Sequence, residues 1–162
     1  MQPSKALVRT SFRVESFVDV WPEIEKLMPL HYQEVSADVG RFGPKLDRQT
    51  YTVRQLSGSL LILTARREGE LIGYAVWTIA PHLHYQDSGL MAYSDAYFVK
   101  KEFRNGATGY KLLLASEVIL REKGVKKLFN FHKLHREDLN HSKLFDKLGY
   151  QLNEYQYIKY LK

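Results

Sequence analysis

Hydrophobic and polar positions change period several times along this chain, and each change marks an element. Val8, Thr10, Phe12 and Val14 alternate with Arg9, Ser11, Arg13 and Glu15, the period-two pattern of a half-buried first strand. Asp19 and Pro22 then open a helix, since a proline in a first turn gives up an N–H that has no helical partner. Pro29 interrupts that helix, and residues 30–35 continue it for another turn or two. After the loop Gly40-Arg41-Phe42-Gly43-Pro44, a second helix runs over residues 47–57 and is closed by Gly58. Residues 59–67 and 71–80 read as strands joined at Glu68-Gly69, a hairpin signal.

A loop rich in histidine and tyrosine leads to a fourth strand at residues 90–100. A glycine-bearing turn and a long apolar helix over residues 107–123 follow, with Lys123 in the last turn and Gly124 after it as stop signals. Residues 125–132 form a fifth strand. Asp138 is placed to cap a short helix whose apolar face carries Leu144, Phe145 and Leu148, stopped by Gly149. Residues 150–153 and 155–161 supply closing strands, and Tyr155, Tyr157 and Tyr160 read as sheet packing, not as a base-stacking platform. The order is β-α-α-β-β-β-α-β-α-β-β. It specifies a mixed α/β fold: a twisted, mostly antiparallel sheet of about six or seven strands flanked by about four helices.

Composition narrows this picture. A chain of 162 residues suits a single domain over residues 1–162. With no cysteine there is no disulfide framework, thiolate zinc site or cysteine nucleophile, and a reducing cytoplasm is the expected setting. No segment reads as a signal peptide, and none reaches the roughly 18 to 20 apolar residues of a membrane span. The net charge of +6 points to an anionic partner. The lysines are scattered, with only short pairs such as Lys100-Lys101 and Lys126-Lys127, which argues against nucleic acid. An anionic nucleotide cosubstrate accounts for part of the charge.

The chemistry centres on Arg104-Asn105-Gly106-Ala107-Thr108-Gly109-Tyr110, a strand end, a small-residue turn and a helix start. Its amide N–H groups, with those of the helix's first turn, form a partially positive cradle suited to a pyrophosphate. Gly106 and Gly109 would allow close approach to the backbone, and Arg104 offers a charge-assisted contact. Taken alone, two glycines more often make simply a tight turn into a helix. The stretch is neither a Walker loop, lacking Lys-Ser/Thr after Gly109, nor a dinucleotide fingerprint, lacking the G-x-G start.

The stretch resembles motif A of the GNAT acetyltransferases, Q/R-x-x-G-x-G/A, with Arg104 and Gly109 in the first and last places, Ala107 where glycine is usual and Gly106 one place early. Lys143-Leu144-Phe145-Asp146-Lys147-Leu148-Gly149-Tyr150 is similar to the ending of motif B, L-Y-x-K-x-G-F. The element order matches as well. The His-Tyr pairs at His31-Tyr32 and in residues 81–85 resemble the bacteriophage-borne branch. The resemblance implies an N-acetyltransferase that binds acetyl-CoA, without a metal, where strands four and five splay apart. Backbone groups near Tyr97 and Val99 would pair with pantetheine. Amides of residues 105–110 would hold the pyrophosphate, and Asp138 falls where many members place an asparagine near pantetheine. A homodimer is compatible with such a fold.

Acetyl transfer needs a neutral amine, a polarised thioester and a proton for the leaving thiolate. Phe145 stands where many relatives carry a tyrosine acid, and it has no proton to give. Tyr93, Asp95, Tyr97 and Val99 share one face if strand four is regular, which makes Asp95 the leading base; a structural aspartate is the alternative. His82 and His84 would return beside Tyr93 across the hairpin, where a histidine suits proton transfer; loop histidines without a role are the alternative, and a metal pair is disfavoured. His31 and Glu34 lie one helical turn apart on a helix that would line the acceptor site, although a solvated face fits equally. Three functions stay open: transfer to a primary amine, a CoA-binding module that has lost catalysis, or modification of a macromolecule docked by the basic surface. The acceptor itself is not encoded in any motif.

Overall fold

The strands at residues 10–14, 60–67, 70–81, 90–99 and 125–129 are joined edge to edge in sequence order. The computed structural model describes residues 9–136 and 140–161; the Asp138 proposed above as cap and pantetheine contact lies outside them. The described chain forms two units, one ending at Phe131 and one starting at His132. In the first, β1 (Thr10–Val14), β2 (Leu60–Arg67), β3 (Glu70–Pro81) and β4 (Leu90–Val99) are antiparallel neighbours. β5 (Val125–Phe129) lies parallel to β4. The β2–β3 turn is tight because Glu68 (φ 52°) and Gly69 (φ 85°) both take left-handed backbone, the mirror-image turn that follows strand twist.

Helices cover both faces. α1 (Phe17–Val35) and α2 (Arg48–Leu56) belong to one layer, and α3 (Thr108–Glu122) packs on β2, β3 and β4. Phe17, Val20, Trp21 and Ile24 of α1 join Leu60, Ile62, Tyr74, Val76 and Phe98 in one apolar cluster. Trp77, Leu61 and Ala75 alternate with those sheet residues and so face the opposite layer, where Leu112, Leu113 and Leu120 of α3 are buried. Each such side chain contributes roughly 1.5–3 kcal/mol.

Two expectations about α1 are corrected. It starts at Phe17, because Ser16 is the cap and its Oγ accepts from the Asp19 N–H at 3.2 Å. It also runs through Pro22 and Pro29 without a break. Each proline removes one backbone hydrogen bond, and a buried stripe from Phe17 to His31 holds the helix together regardless.

The closing strands are corrected too. Among the described residues the sheet has five strands, and residues 151–161 belong to none of them. Leu152, Tyr157 and Leu161 are 79%, 91% and 86% exposed, so the tyrosines there are not sheet packing. Alternation specifies which side chains would share a face, but a strand also needs a neighbour for its N–H and C=O groups. The second unit carries one described helix, α4 (Ser142–Lys147), followed by Gly149 with φ 80°.

One polar cluster ties α1 to the sheet. Arg66 on β2 donates from Nε and Nη2 to Glu15 (2.6 and 2.9 Å), from Nη1 and Nη2 to Glu23 (3.0 and 2.6 Å), and to the Gly69 carbonyl. Thr64 Oγ1 donates to Glu15 as well, at 2.6 Å. Hydrogen bonding from Arg66 holds the Glu15 carboxyl below its ordinary value against the opposing effect of burial. The sign follows: this stabilisation is fully present above the ordinary carboxylate range and is lost as pH falls below about 4.5 toward the folded-state value. Arg66→Ala strands two carboxylates and should cost on the order of 3 kcal/mol at pH 7. The variant's deficit should shrink at pH 3 to 4, measured by urea denaturation across that range; a pH-independent deficit would contradict the assignment.

Candidate active site

The β4–β5 ladder has four pairs, Leu90 with Val125, Met91 with Lys127, Ala92 with Leu128 and Tyr93 with Phe129. It closes with the Tyr93 and Phe129 rings stacked at 4.6 Å and 10°. Beyond it β4 continues for six residues, Ser94 to Val99, with no β5 neighbour. β5 itself ends at Phe129, so among the described residues the rest of β4 runs on without a strand on that side.

β4 is not regular along that stretch. Trp77 pairs with Ser94 but Val76 pairs with Ala96, so Asp95 is the extra residue of a bulge, and the alternation changes phase across it. Tyr93 sits opposite Thr78 and thereby on the face of Leu60, the α1–α2 side. Tyr97 and Val99, opposite Ala75 and Gly73, face α3. The expectation that Tyr93, Asp95, Tyr97 and Val99 share a face is thus overturned. Asp95 belongs to the α1–α2 side, where the Tyr51 hydroxyl of α2 donates to its Oδ2. Its side chain is exposed.

Backbone direction follows from the ladder. The Lys100 N–H donates to the Ile72 carbonyl at 2.9 Å, which makes 100 and 72 a hydrogen-bonded pair. By alternation 98 with 74 and 96 with 76 are the next ones. Tyr97 and Val99 consequently direct their N–H and C=O groups away from β3.

The segment from Lys101 to Phe103 makes one 3₁₀ turn, and Asn105, Gly106 and Ala107 lead exposed into α3. α3 has no side-chain N-cap bond and no acidic residue in its first turn. The amides of Thr108 and Gly109 thus open a positive helix end with no side-chain cap. A Cβ at Gly106 would meet nothing within 4 Å, so that approach is open.

Three residues take other roles than expected. Arg104 Nε donates to the Val99 carbonyl at 2.7 Å, its guanidinium pairs with Glu34, and it lies over the Phe98 ring at 5.5 Å. It fastens the loop to β4 and α1. Glu34 is the other half of that ion pair, not an open acceptor contact. His31 is buried at 7% exposure, bonded through Nδ1 to Tyr74 Oη at 2.7 Å and stacked on Phe98 at 4.9 Å; it is a core histidine.

Gly109 also has a different reason from the one its motif suggests. A Cβ there would lie 2.3 Å from Tyr97 Oη and 3.6 Å from its Cζ, so glycine makes room for tyrosine. Burial pushes the Tyr97 hydroxyl well above its ordinary value, so it stays protonated.

The histidine loop stands apart. His82 Nδ1 accepts from the backbone N–H groups of His84 and Tyr85, both at 3.1 Å, which makes it a turn residue; His84 is exposed. Pro81 pairs with Leu90, five residues from Asp95 and roughly 16 Å along the strand, so β4 does not bring Asp95 and these histidines together. In the second unit Phe145 packs between His141 (5.9 Å) and Tyr150 (5.5 Å). Among the described residues no group of side chains could hold a metal ion, and no helix is long and apolar enough to cross a membrane. Tyr51 was missed in the sequence because 44 residues separate it from Asp95.

The pattern of the acetyltransferase (GNAT) family matches residues 21–150, and the chain belongs to that family. Among solved structures it is similar to the aminoglycoside N-acetyltransferase AAC(6')-Iy in complex with CoA, at 18% identity, TM-score 0.71 and 98% of each chain covered. Glucosamine-6-phosphate N-acetyltransferase from Arabidopsis thaliana matches at 16% identity and TM-score 0.69, over 95% of this chain and 99% of that one. A predicted acetyltransferase from Clostridium acetobutylicum with acetyl-CoA matches at 12% and 0.70, over 93% and 96%. No curated protein matches the chain in sequence.

The Tyr97–Gly109 contact gives a rescue test. Gly109→Ala should destabilise by roughly 1–3 kcal/mol through overpacking. In a Tyr97→Phe background the nearest ring atom is an ordinary contact at 3.6 Å, and alanine should then be neutral or stabilising by up to about 1 kcal/mol through helix propensity. Thermal denaturation of both singles and the double checks this; equal losses in both backgrounds would place the origin of the glycine elsewhere.

Proposed function

We propose that this protein transfers the acetyl group of acetyl-CoA to a primary amine, with Asp95 as the proton acceptor. The observation that carries the reading is the arrangement of one strand. On β4 the outward-facing backbone of Tyr97 and Val99 lies between an exposed carboxylate at the bulge and the uncapped start of α3. The edge of β4 turned away from β3, where the Val99 carbonyl also accepts from Arg104, suits the amide groups of pantetheine, and the turn at residues 105–110 suits the pyrophosphate. Arg104 serves that site by holding the turn, not as a phosphate ligand. The His-Tyr pairs that resemble the bacteriophage-borne branch have no part in catalysis here.

Acetyl-CoA supplies an acyl group activated as a thioester. The chain's own residues handle position and protons. An amine arrives mostly as ammonium at neutral pH, and Asp95 pairs with it and accepts a proton, leaving a nucleophilic lone pair. As the C–N bond forms the C–S bond breaks; water takes the second proton from the new amide nitrogen and returns one to the thiolate. The two faces of β4 keep these tasks apart: acceptor and base on the α1–α2 side, the helix end and its turn on the α3 side.

Asp95→Asn keeps the shape and removes the basicity. With a panel of kanamycin, glucosamine 6-phosphate, spermidine and an alanine-ended peptide scored by mass spectrometry, it should lower turnover of the best amine by about 10²- to 10⁴-fold. Acetyl-CoA affinity by calorimetry should hold. Gly106→Glu, which meets nothing within 4 Å, should do the reverse and weaken acetyl-CoA by repulsion without unfolding the protein. Tight acetyl-CoA binding with no acetylated amine would favour the CoA-binding module instead, and undiminished turnover in Asp95→Asn would remove the base assignment.

A further inference from the structure

Asp95 is exposed at a bulge, and a carboxylate so placed samples several rotamers unless something holds it. Among the described residues its one side-chain hydrogen bond comes from Tyr51 of α2, donated to Oδ2. We propose that Tyr51 is a positioning residue for acetyl transfer, fixing one oxygen of Asp95 so that the other is presented to the acceptor amine. The proposal rests on the reading of Asp95 given above.

Tyr51 is built for a fixed donor. Its ring stacks on Phe17 at 5.0 Å and 13°, and Phe17 in turn meets Trp21 at 4.9 Å. The ring is packed against the same apolar cluster that holds α1 to the sheet. Burial, with the Asp95 charge second, pushes its hydroxyl far above the ordinary range, so it donates at any pH at which the protein works. A carboxylate has about four lone-pair sites on two oxygens; one committed to Tyr51 leaves Oδ1 for the ammonium, in a defined direction. A side chain free to rotate would pair with the amine in orientations that do not lead to attack, and misplacement of this kind is expensive in rate.

The rest of α2 sharpens the assignment. None of its residues is fully buried, and Tyr51 is the one packed against the core cluster. Gln55 also fastens α2, its Oε1 accepting from the Phe17 N–H, so Tyr51 is the apolar anchor of a helix that has a second hold. The hydroxyl and the ring of Tyr51 divide two duties: the ring docks, and the hydroxyl orients.

That division makes the test clean. Tyr51→Phe keeps the ring stack and removes only the donor. With the best amine of the panel, Tyr51→Phe should lower kcat roughly ten-fold, leave KM for acetyl-CoA unchanged and shift Tm little. In an Asp95→Asn background the same substitution should cause no further loss, because Tyr51 acts through Asp95. Full kcat in Tyr51→Phe, or a loss that multiplies with that of Asp95→Asn, would overturn the positioning role while leaving Asp95 as base. Full activity of Asp95→Asn alone would instead overturn the underlying reading, so the two failures are distinct. A Tm drop in Tyr51→Phe with unchanged kcat would assign the hydroxyl to docking only and would also overturn the proposal.

Discussion

A single extra residue in β4 sets the arrangement of everything around it. Without the bulge at Asp95, the side chains of residues 93, 95, 97 and 99 would point one way, and the carboxylate would lie among the α3-side tyrosines. With it, the strand changes phase just where its parallel neighbour ends, after Tyr93 and Phe129. Two consequences follow from one irregularity. The backbone of residues 97 and 99 is turned away from β3, and the carboxylate faces the opposite layer from the helix start. Bulges commonly re-aim side chains beside active sites, and here the re-aimed group is the one with acid–base capacity.

Charged side chains near the site serve chiefly as fasteners. Arg104, Glu34, Phe98, His31 and Tyr74 are linked by one ion pair, one cation–π contact, one ring stack and one hydrogen bond. Together they connect the end of α1, the end of β4 and the turn before α3. A backbone cradle is aimed by the chain itself and stays aimed only if the loop is held, which gives a fastener at position 104 more leverage than one additional charge would have.

Much of this was legible in the chain and some could not be. The hairpin at Glu68-Gly69, the first five strands and the stops at Gly58, Gly124 and Gly149 were encoded locally, in turn chemistry and period. The site stretch 104–110 was legible for the same reason: strand end, small residues, helix start. The phase change at Asp95 was not, because a bulge is a property of pairing with β3, and Asp95 carries no local mark of it. Tyr51, His31 and Arg104 share this feature. Their roles are set by partners 44, 43 and 70 positions away. The alternating residues 155–161 illustrate the converse, a strong local pattern with no strand partner. Gly109 lies between these cases: its identity was rightly singled out, but the constraint comes from the Tyr97 hydroxyl.

The two tryptophans fall on opposite sides of the sheet, Trp21 in the α1 layer at 9% exposure and Trp77 toward α3 at 0%. Each layer thus has its own intrinsic fluorophore. Trp21 lies under the Arg48 guanidinium at 6.0 Å, at the entrance to the helix that carries Tyr51. Trp77 is opposite Ser94, beside the bulge. Emission from position 21 reports on α1 and α2 and emission from position 77 on β3 and the bulged stretch of β4. Replacing one indole at a time with phenylalanine would turn a label-free optical signal into a separate reporter for each side of the sheet.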